Sequence, residues 1–147
     1  LKGRIAMSME QMFSVAGSAL SAQLTRLNAT ASNIANASNV ASSAEEAYRG
    51  KRVVFRTLVE NEIVGTETKF AGSVTVESVV DDPSLPMRMY APENPIANAD
   101  GYVFKSNVVE MEEMIELTAA SRAYQSNIEV LSTAKQMMMR TLEVMKA

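Results

Sequence analysis

Two stretches of the chain carry the same hydrophobic rhythm. Near the start, Phe13, Leu20, Leu27 and Ile34 recur every seven residues, with Gly17, Leu24 and Ala31 in the alternate positions. Toward the end, Leu117, Tyr124, Leu131, Met138 and Met145 keep the same interval, with Met114, Ile128 and Leu142 in a second series that Ser121 and Lys135 interrupt. A seven-residue repeat predicts a helix packed lengthwise against another helix. The other side of the second stretch, Arg122, Gln125, Glu129, Ser132, Gln136, Arg140 and Glu143, is polar at helical spacing, so that helix is amphipathic.

Between these stretches the pattern changes. All four Pro residues (83, 86, 92 and 95) and four of the six Gly (50, 65, 72 and 101) fall between positions 50 and 101. Because Gly and Pro break helices, the flanks 9–36 and 110–145 are left uninterrupted, about 40 and 55 Å long at 1.5 Å per residue. Within the middle, "SVTVESVV" (Ser73 to Val80) alternates apolar and polar positions, and "KRVVFRTLVE" has the β-branched and aromatic bias of a strand. "DDPSLP" and "YAPENP" read as turns or extended connections. The expectation is an α+β fold: long N- and C-terminal helices pairing in coiled-coil fashion, parallel or antiparallel, with a small β-rich middle module. It divides the chain into an N-terminal helix over 7–37, a flexible link over 38–47, a β-rich module over 48–106 and a C-terminal helix over 107–147. Residues 1–6, "LKGRIA", fit no part of this pattern and are set aside as an extension, native or appended.

Composition sharpens the picture. The chain of 147 residues is 47% apolar and 21% charged, which is globular, yet only 5% aromatic, with no Trp and eleven Met. Ala, Val, Leu and Met without rings suit helix-to-helix seams better than a thick core. The absence of both Cys and His removes the commonest general base, the commonest metal ligand and the best nucleophile, so catalysis and cofactor binding are not expected. A net charge of −3 argues against a general nucleic-acid binder. Each remaining charged cluster has a plain reading. "RGKR" (Arg49 to Arg52) reads as a solvated turn, Asp81 and Asp82 as an exposed turn, and the carboxylates of "EMEEMIE" (Glu110 to Glu116) as partners of a helix N-terminus rather than a catalytic pair. No phosphate loop, zinc spacing or calcium loop occurs, no apolar run approaches a membrane span, and nothing resembles a cleavable secretion signal. In "KQMMM", three consecutive Met residues point about 100° apart, so some face a second partner.

One stretch resists this reading. "NATASNIANAS" (Asn28 to Ser38) threads Asn28, Asn33 and Asn36, with Asn39 just beyond, through an otherwise helical pattern. A left-handed helix cap accounts for Asn36 or Asn39 but not for Asn28 and Asn33.

These residues resemble the flagellar axial proteins of bacteria, and within them the proximal rod subunits of the basal body. The likeness covers Met7 to Lys146. It is carried by "AGSALSAQLTRLNATASNIANAS", "YRGKRVVF", "NPIANADGYVFKSNV" and "SRAYQSNIEVLSTAKQMM". "ASNIAN" and "RAYQSN" look common to rod and hook proteins, whereas the spacing and the short middle module point to the rod. One departure affects the start of the last helix: where the family pattern has Pro-Asn-Val-Asp, this chain has Ser106, Asn107, Val108 and Val109.

The resemblance implies a structural subunit that assembles helically into a hollow drive shaft, transmits torque and surrounds an export channel. It implies partners in itself, in other rod subunits and in the flagellar type III export apparatus, and a periplasmic rod location reached without a cleaved signal. It also suggests roles for particular residues. Phe13, Leu20, Leu24, Leu27, Ile34, Leu117, Tyr124, Ile128, Leu131, Met138 and Leu142 would pack helices within and between subunits. Asn28, Asn33, Asn36, Arg122, Gln125 and Asn127 would make polar contacts between subunits, the amides fixing register across the seam and facing water in the free chain. Another axial subunit, a soluble coiled-coil adaptor and, last, a carboxylate-dependent hydrolase are the competing readings.

Overall fold

The computed structural model describes the backbone of residues 2–64 and 67–146, and the side-chain surroundings of residues 11–58 and 72–146. It is an α+β structure in which two long helices, α1 (Lys2–Asn36) and α2 (Glu110–Lys146), flank five strands: β1 (Val40–Ala41), β2 (Lys51–Val64), β3 (Glu67–Asp81), β4 (Met87–Tyr90) and β5 (Tyr102–Lys105). The strands form a two-stranded sheet, β2–β3, and a three-stranded antiparallel sheet in the order β1–β5–β4. Backbone of residues 2–6, set aside in the sequence reading, lies within α1.

The chain divides into two compact units. The first holds Leu1–Thr25, Phe55–Glu77 and Ala120–Ala147; the second holds Arg26–Val54 and Ser78–Ala119. In the first unit, Ser18 Oγ donates to Val15 O at 2.8 Å and accepts from Val74 N at 3.1 Å, tying β3 to α1. Arg56 and Glu77 pair across the two-stranded sheet at 3.2 Å. Among the described residues, the buried apolar side chains on the helices here are all alanine: Ala16, Ala22, Ala120 and Ala134.

In the second unit the three-stranded sheet centres on Val103, which is fully buried on β5. Val40 pairs with Lys105 on one side of β5, and Met89 pairs with Val103 on the other. Tyr90 and Tyr102 meet edge to face at 5.1 Å, and the Arg88 guanidinium lies 3.6 Å from the Tyr102 ring centroid. The turn into β5 needs glycine: Gly101 has φ +79°, and a Cβ there would come within 3.0 Å of the Tyr90 ring and 3.2 Å of Pro92. Asn98 Oδ1 fixes this turn by accepting from Asp100 N and Tyr102 N.

Two sequence expectations change here. The stretch 38–47 is structured: β1 adds to β5, Asn39 O accepts from Ser106 N, and Ala47 is buried. Its small residues, read as a flexible link, instead let the chain lie close against the sheet. The left-handed Asn cap of α1 is also absent, since among the described residues positive φ occurs only at Gly101. Instead α1 ends in two short turns, Ala37 N to Ile34 O and Asn39 N to Asn36 O. The side chains close the end by Asn36 Nδ2 donating to Ser32 O and Asn39 Nδ2 donating to Asn36 Oδ1.

Candidate functional site: a buried asparagine between the helices and exposed helix faces

The second unit brings α1, α2 and the start of β2 together on one side chain. Asn33 sits on the inner face of α1 and is 1% exposed. Its Nδ2 donates to Lys51 O at 3.0 Å and to Glu113 Oε2 at 2.9 Å. Its Oδ1 accepts from Lys51 N at 2.7 Å and from Tyr48 Oη at 3.0 Å. An amide offers two donors and two acceptor positions, so Asn33 is saturated. Because the single Tyr48 proton is committed to Asn33, the 3.1 Å contact between Ser32 Oγ and Tyr48 Oη has serine as donor.

Glu113 is equally enclosed, at 3% exposed. Its second oxygen accepts from Arg52 Nη1 at 3.4 Å, and Arg52 Nε reaches Asp82 Oδ2 at 3.2 Å. A buried carboxylate is tolerable when hydrogen bonds and an opposite charge replace its lost water, and both are present. One turn further along, Arg26 of α1 pairs with Glu116 of α2. From Arg26 to Asn33 the first helix runs forward while its partners step back from Glu116 to Glu113, so the helices are antiparallel here.

Around this node the charged clusters noted in the sequence find partners. Lys51 Nζ donates to Asp81 Oδ1 at 2.9 Å, which raises the Lys51 pKa above its ordinary value. Hydrogen bonds from Ser84, followed by the neighbouring Arg52, hold Asp82 below the ordinary carboxylate range. Asn107 bridges the same region by accepting from Gly50 N at 2.8 Å and donating to Ser84 O at 2.9 Å. At the departure from the family pattern, Ser106 Oγ accepts from Val108 N, and Val109, exposed, stands immediately before α2 without a side-chain oxygen to cap it.

The sequence-derived packing residues separate into groups. Phe13, Leu20, Leu27, Ile34, Leu117, Tyr124 and Leu131 are half-buried, whereas Leu24, Ile128, Met138 and Leu142 are exposed. On α1 the buried positions among the described residues are Ala16, Ala22, Ala29, Thr30 and Asn33. At 100° per residue they span a wide arc, from Ala16 on the same side as Ile34 to Ala22 and Ala29, about 160° around from Leu20 and Leu27, so the expected line lies at the edge of the buried face and its members are half-buried. On α2 the seam centres on Glu113, Ala120 and Ala134, about 40° from the expected line and still flanked by Leu117 and Leu131.

Among the polar candidates, Asn28, Arg122 and Gln125 are exposed, and Asn36 and Asn127 are half-buried. Asn33 is a correction: its amide does not face water or await a neighbour, because Lys51, Tyr48 and Glu113 use all of it inside the chain. A polar residue spaced among alanines signalled a seam, but not which seam. Glu113 was missed as an anchor because its cluster of carboxylates also fits a helix N-terminus, where Glu110 and Glu112 do remain exposed.

Both residues of the node fall inside regions with recognisable relatives. A family model described as flagella basal body rod protein matches residues 13–42, which carry Asn33, and one described as the C-terminal part of flagellar basal body rod FlgEFG proteins matches residues 99–144, which carry Glu113. Over nearly the whole chain, the flagellar basal-body rod protein FlgC of Yersinia enterocolitica is 46% identical across 136 residues, 92% of this chain and 97% of that protein. The chain belongs to the FlgC family of flagellar basal-body rod proteins. FlgC of Salmonella typhimurium is 43% identical over the same shares, and FlgC of Buchnera aphidicola from Acyrthosiphon pisum is 41% identical over 94% of this chain and 98% of its own. The FlgC likeness therefore spans α1, the strands and α2 together. Among the described residues no helix is long and apolar enough to cross a membrane.

Proposed function

We propose that this chain is a structural subunit of the proximal rod of the bacterial flagellar basal body, assembling helically with copies of itself and with other rod subunits. The rod so formed is a hollow drive shaft that transmits torque and surrounds the export channel. The observation that carries this reading is the 41–46% identity to FlgC rod proteins over more than nine-tenths of the chain. Its function is structural rather than catalytic and calls for no cofactor. The subunit reaches the periplasm through the type III export apparatus, without a cleaved signal.

The exposed faces suit such a role. Leu24 on α1, and Ile128, Met138 and Leu142 on α2, present apolar surface that a neighbouring subunit would cover, worth about 25 cal/mol per Å² buried. Asn28, Arg122 and Gln125 lie exposed as polar contacts to the same neighbours. Complementation tests the reading: a strain lacking FlgC should regain swimming when this chain is supplied, and imaging of its basal bodies should place the chain in the rod. Basal bodies completed without the chain incorporated would refute it.

A further inference from the structure

We infer that the outer face at the start of α2 docks on the β4 ridge of a second copy of this chain, an inference that rests on the self-assembly proposed above. Two exposed apolar surfaces of the second unit lead to it. On α2, Met111, Met114 and Ile115 are each more than half exposed. At 100° per residue they lie within about 100° of one another, centred about 150° around from Glu113, which is buried on the inner side. Glu110 and Glu112, both exposed, flank this stripe on either side. The other surface is an edge of the three-stranded sheet. β4 ends the strand order, and Leu85, just before it, and Met87 and Met89 within it are exposed. Met87 and Met89 share one face of the strand, and Lys105 stands directly opposite Met87 on that face. Arg88, between them, is exposed, with its guanidinium against the Tyr102 ring.

Large apolar side chains exposed in clusters, unlike those scattered singly, mark contact surfaces. Charge decides what covers these two. Among the described residues, Arg88, Lys105, Glu110 and Glu112 take part in no ion pair, whereas Arg26, Lys51, Arg52 and Arg56 all do. Two copies meeting through the same surface would set Lys105 and Arg88 against their own kind, or Glu110 and Glu112 against theirs, and like charges across a contact repel. The α2 stripe of one copy on the β4 ridge of the next instead brings carboxylates to cations around an apolar centre, the anatomy of a specific interface. Because the two surfaces differ, the contact is heterologous. Each copy offers one of each, so the contact repeats from copy to copy, as helical assembly requires.

The test uses the concentrated isolated chain, so it is read apart from complementation. The chain has no cysteine, and Met87→Cys and Ile115→Cys are prepared as separate proteins of distinguishable mass, mixed, and treated with a short bifunctional thiol reagent. The mixed pair should cross-link at least tenfold more than either protein with itself, and at least tenfold more than Met87→Cys with Glu45→Cys, an exposed position on the loop after β1. Glu110→Lys with Glu112→Lys in the Ile115→Cys protein should lower the yield at least fivefold, and Arg88→Glu with Lys105→Glu in the Met87→Cys protein should restore it. Restoration also shows that both charge-reversed proteins are folded. Should one of them unfold, salt raised to about 1 M, where screening acts within about 3 Å, takes their place and should lower the yield at least threefold. Cross-linking no greater than that to Glu45→Cys overturns the inference, and so does a preference for like surfaces or a yield indifferent to both charge reversal and salt. Swimming restored without this cross-link leaves the rod reading standing and removes the contact; the cross-link without swimming does the opposite.

Discussion

The Nδ2 of Asn33 lies 2.9 Å from Oε2 of Glu113, joining two positions 80 residues apart through the inner faces of two antiparallel helix segments. Three further hydrogen bonds complete the asparagine. The other buried side chains on the helices of this unit, among the described residues, are the small Ala29 and Thr30, so this pair is the point where specific chemistry replaces bulk.

Asn33→Ala should therefore be far costlier than an ordinary helix substitution. It leaves Lys51 N and one face of Glu113 without partners in a site closed to water, and at about 1–3 kcal/mol for each stranded group the loss is about 2–5 kcal/mol. Urea unfolding of the variant, read as a drop in midpoint at unchanged slope, checks this. A midpoint within error of the parent chain would mean that water enters and satisfies the site.

Ala120 is fully buried, so Ala120→Leu should destabilise the isolated chain by about 1–3 kcal/mol through overpacking. Leu24→Asp and Leu142→Asp should behave oppositely. Both leucines are exposed, and surface changes of this kind stay within about 0.5 kcal/mol. In the rod subunit proposed above, however, a carboxylate at either position is buried against a neighbour at a cost of several kcal/mol. The expected result is two variants with normal thermal unfolding and no swimming; full swimming would show that those faces remain open in the rod.

The pH dependence around Asp82 has a definite sign. Its pKa is held low in the folded chain, so its stabilising contribution is present above the ordinary carboxylate pKa of about 4 and is lost as pH falls through the lowered folded value. Lys51, whose pKa is raised by Asp81, contributes below about 10 and loses that contribution as pH rises through the raised value; being exposed, it contributes weakly. Asp82→Asn should flatten the acid limb of a stability profile measured by urea midpoints from neutral to strongly acidic pH. A parent and variant with parallel acid limbs would show that other carboxylates govern it.

Val109 gives α2 no side-chain cap. Val109→Ser supplies an oxygen for the free N–H groups of the first turn and should raise stability by about 1 kcal/mol. The thermal midpoint should rise by a few degrees, and a fall would show that the exposed Val109 side chain already packs usefully.

Hydrogen exchange should grade α2 along its length. Glu113 and Ala120 are buried near its start, whereas Met137, Met138, Met139, Leu142, Val144 and Met145 are all exposed beyond Ala134. An isolated helix gains little without packing. Amides of Leu117 to Ala120 should exchange at least 100-fold more slowly than those of Leu142 to Lys146 in the free chain. Equal protection at both ends would mean that the exposed stretch is stable by itself.

The sequence by itself determined the elements. Confining Pro and most Gly to the middle left two long helices on the flanks, and alternation in Ser73 to Val80 together with the β-branched run after Lys51 marked the long paired strands. Local rules suffice for this, because helix and strand periodicity act over a few neighbouring residues. Tertiary structure decided which face of α1 turns inward. Heptad spacing is shared by the leucine series and by the alanines two positions on, and in the folded chain Ala22 and Ala29 are buried while Leu20 and Leu27 are only half-buried. It likewise decided the fate of Asn33 and Glu113, since nothing within a few residues of either tells an asparagine bound for solvent or a neighbouring subunit from one that meets a carboxylate 80 positions away.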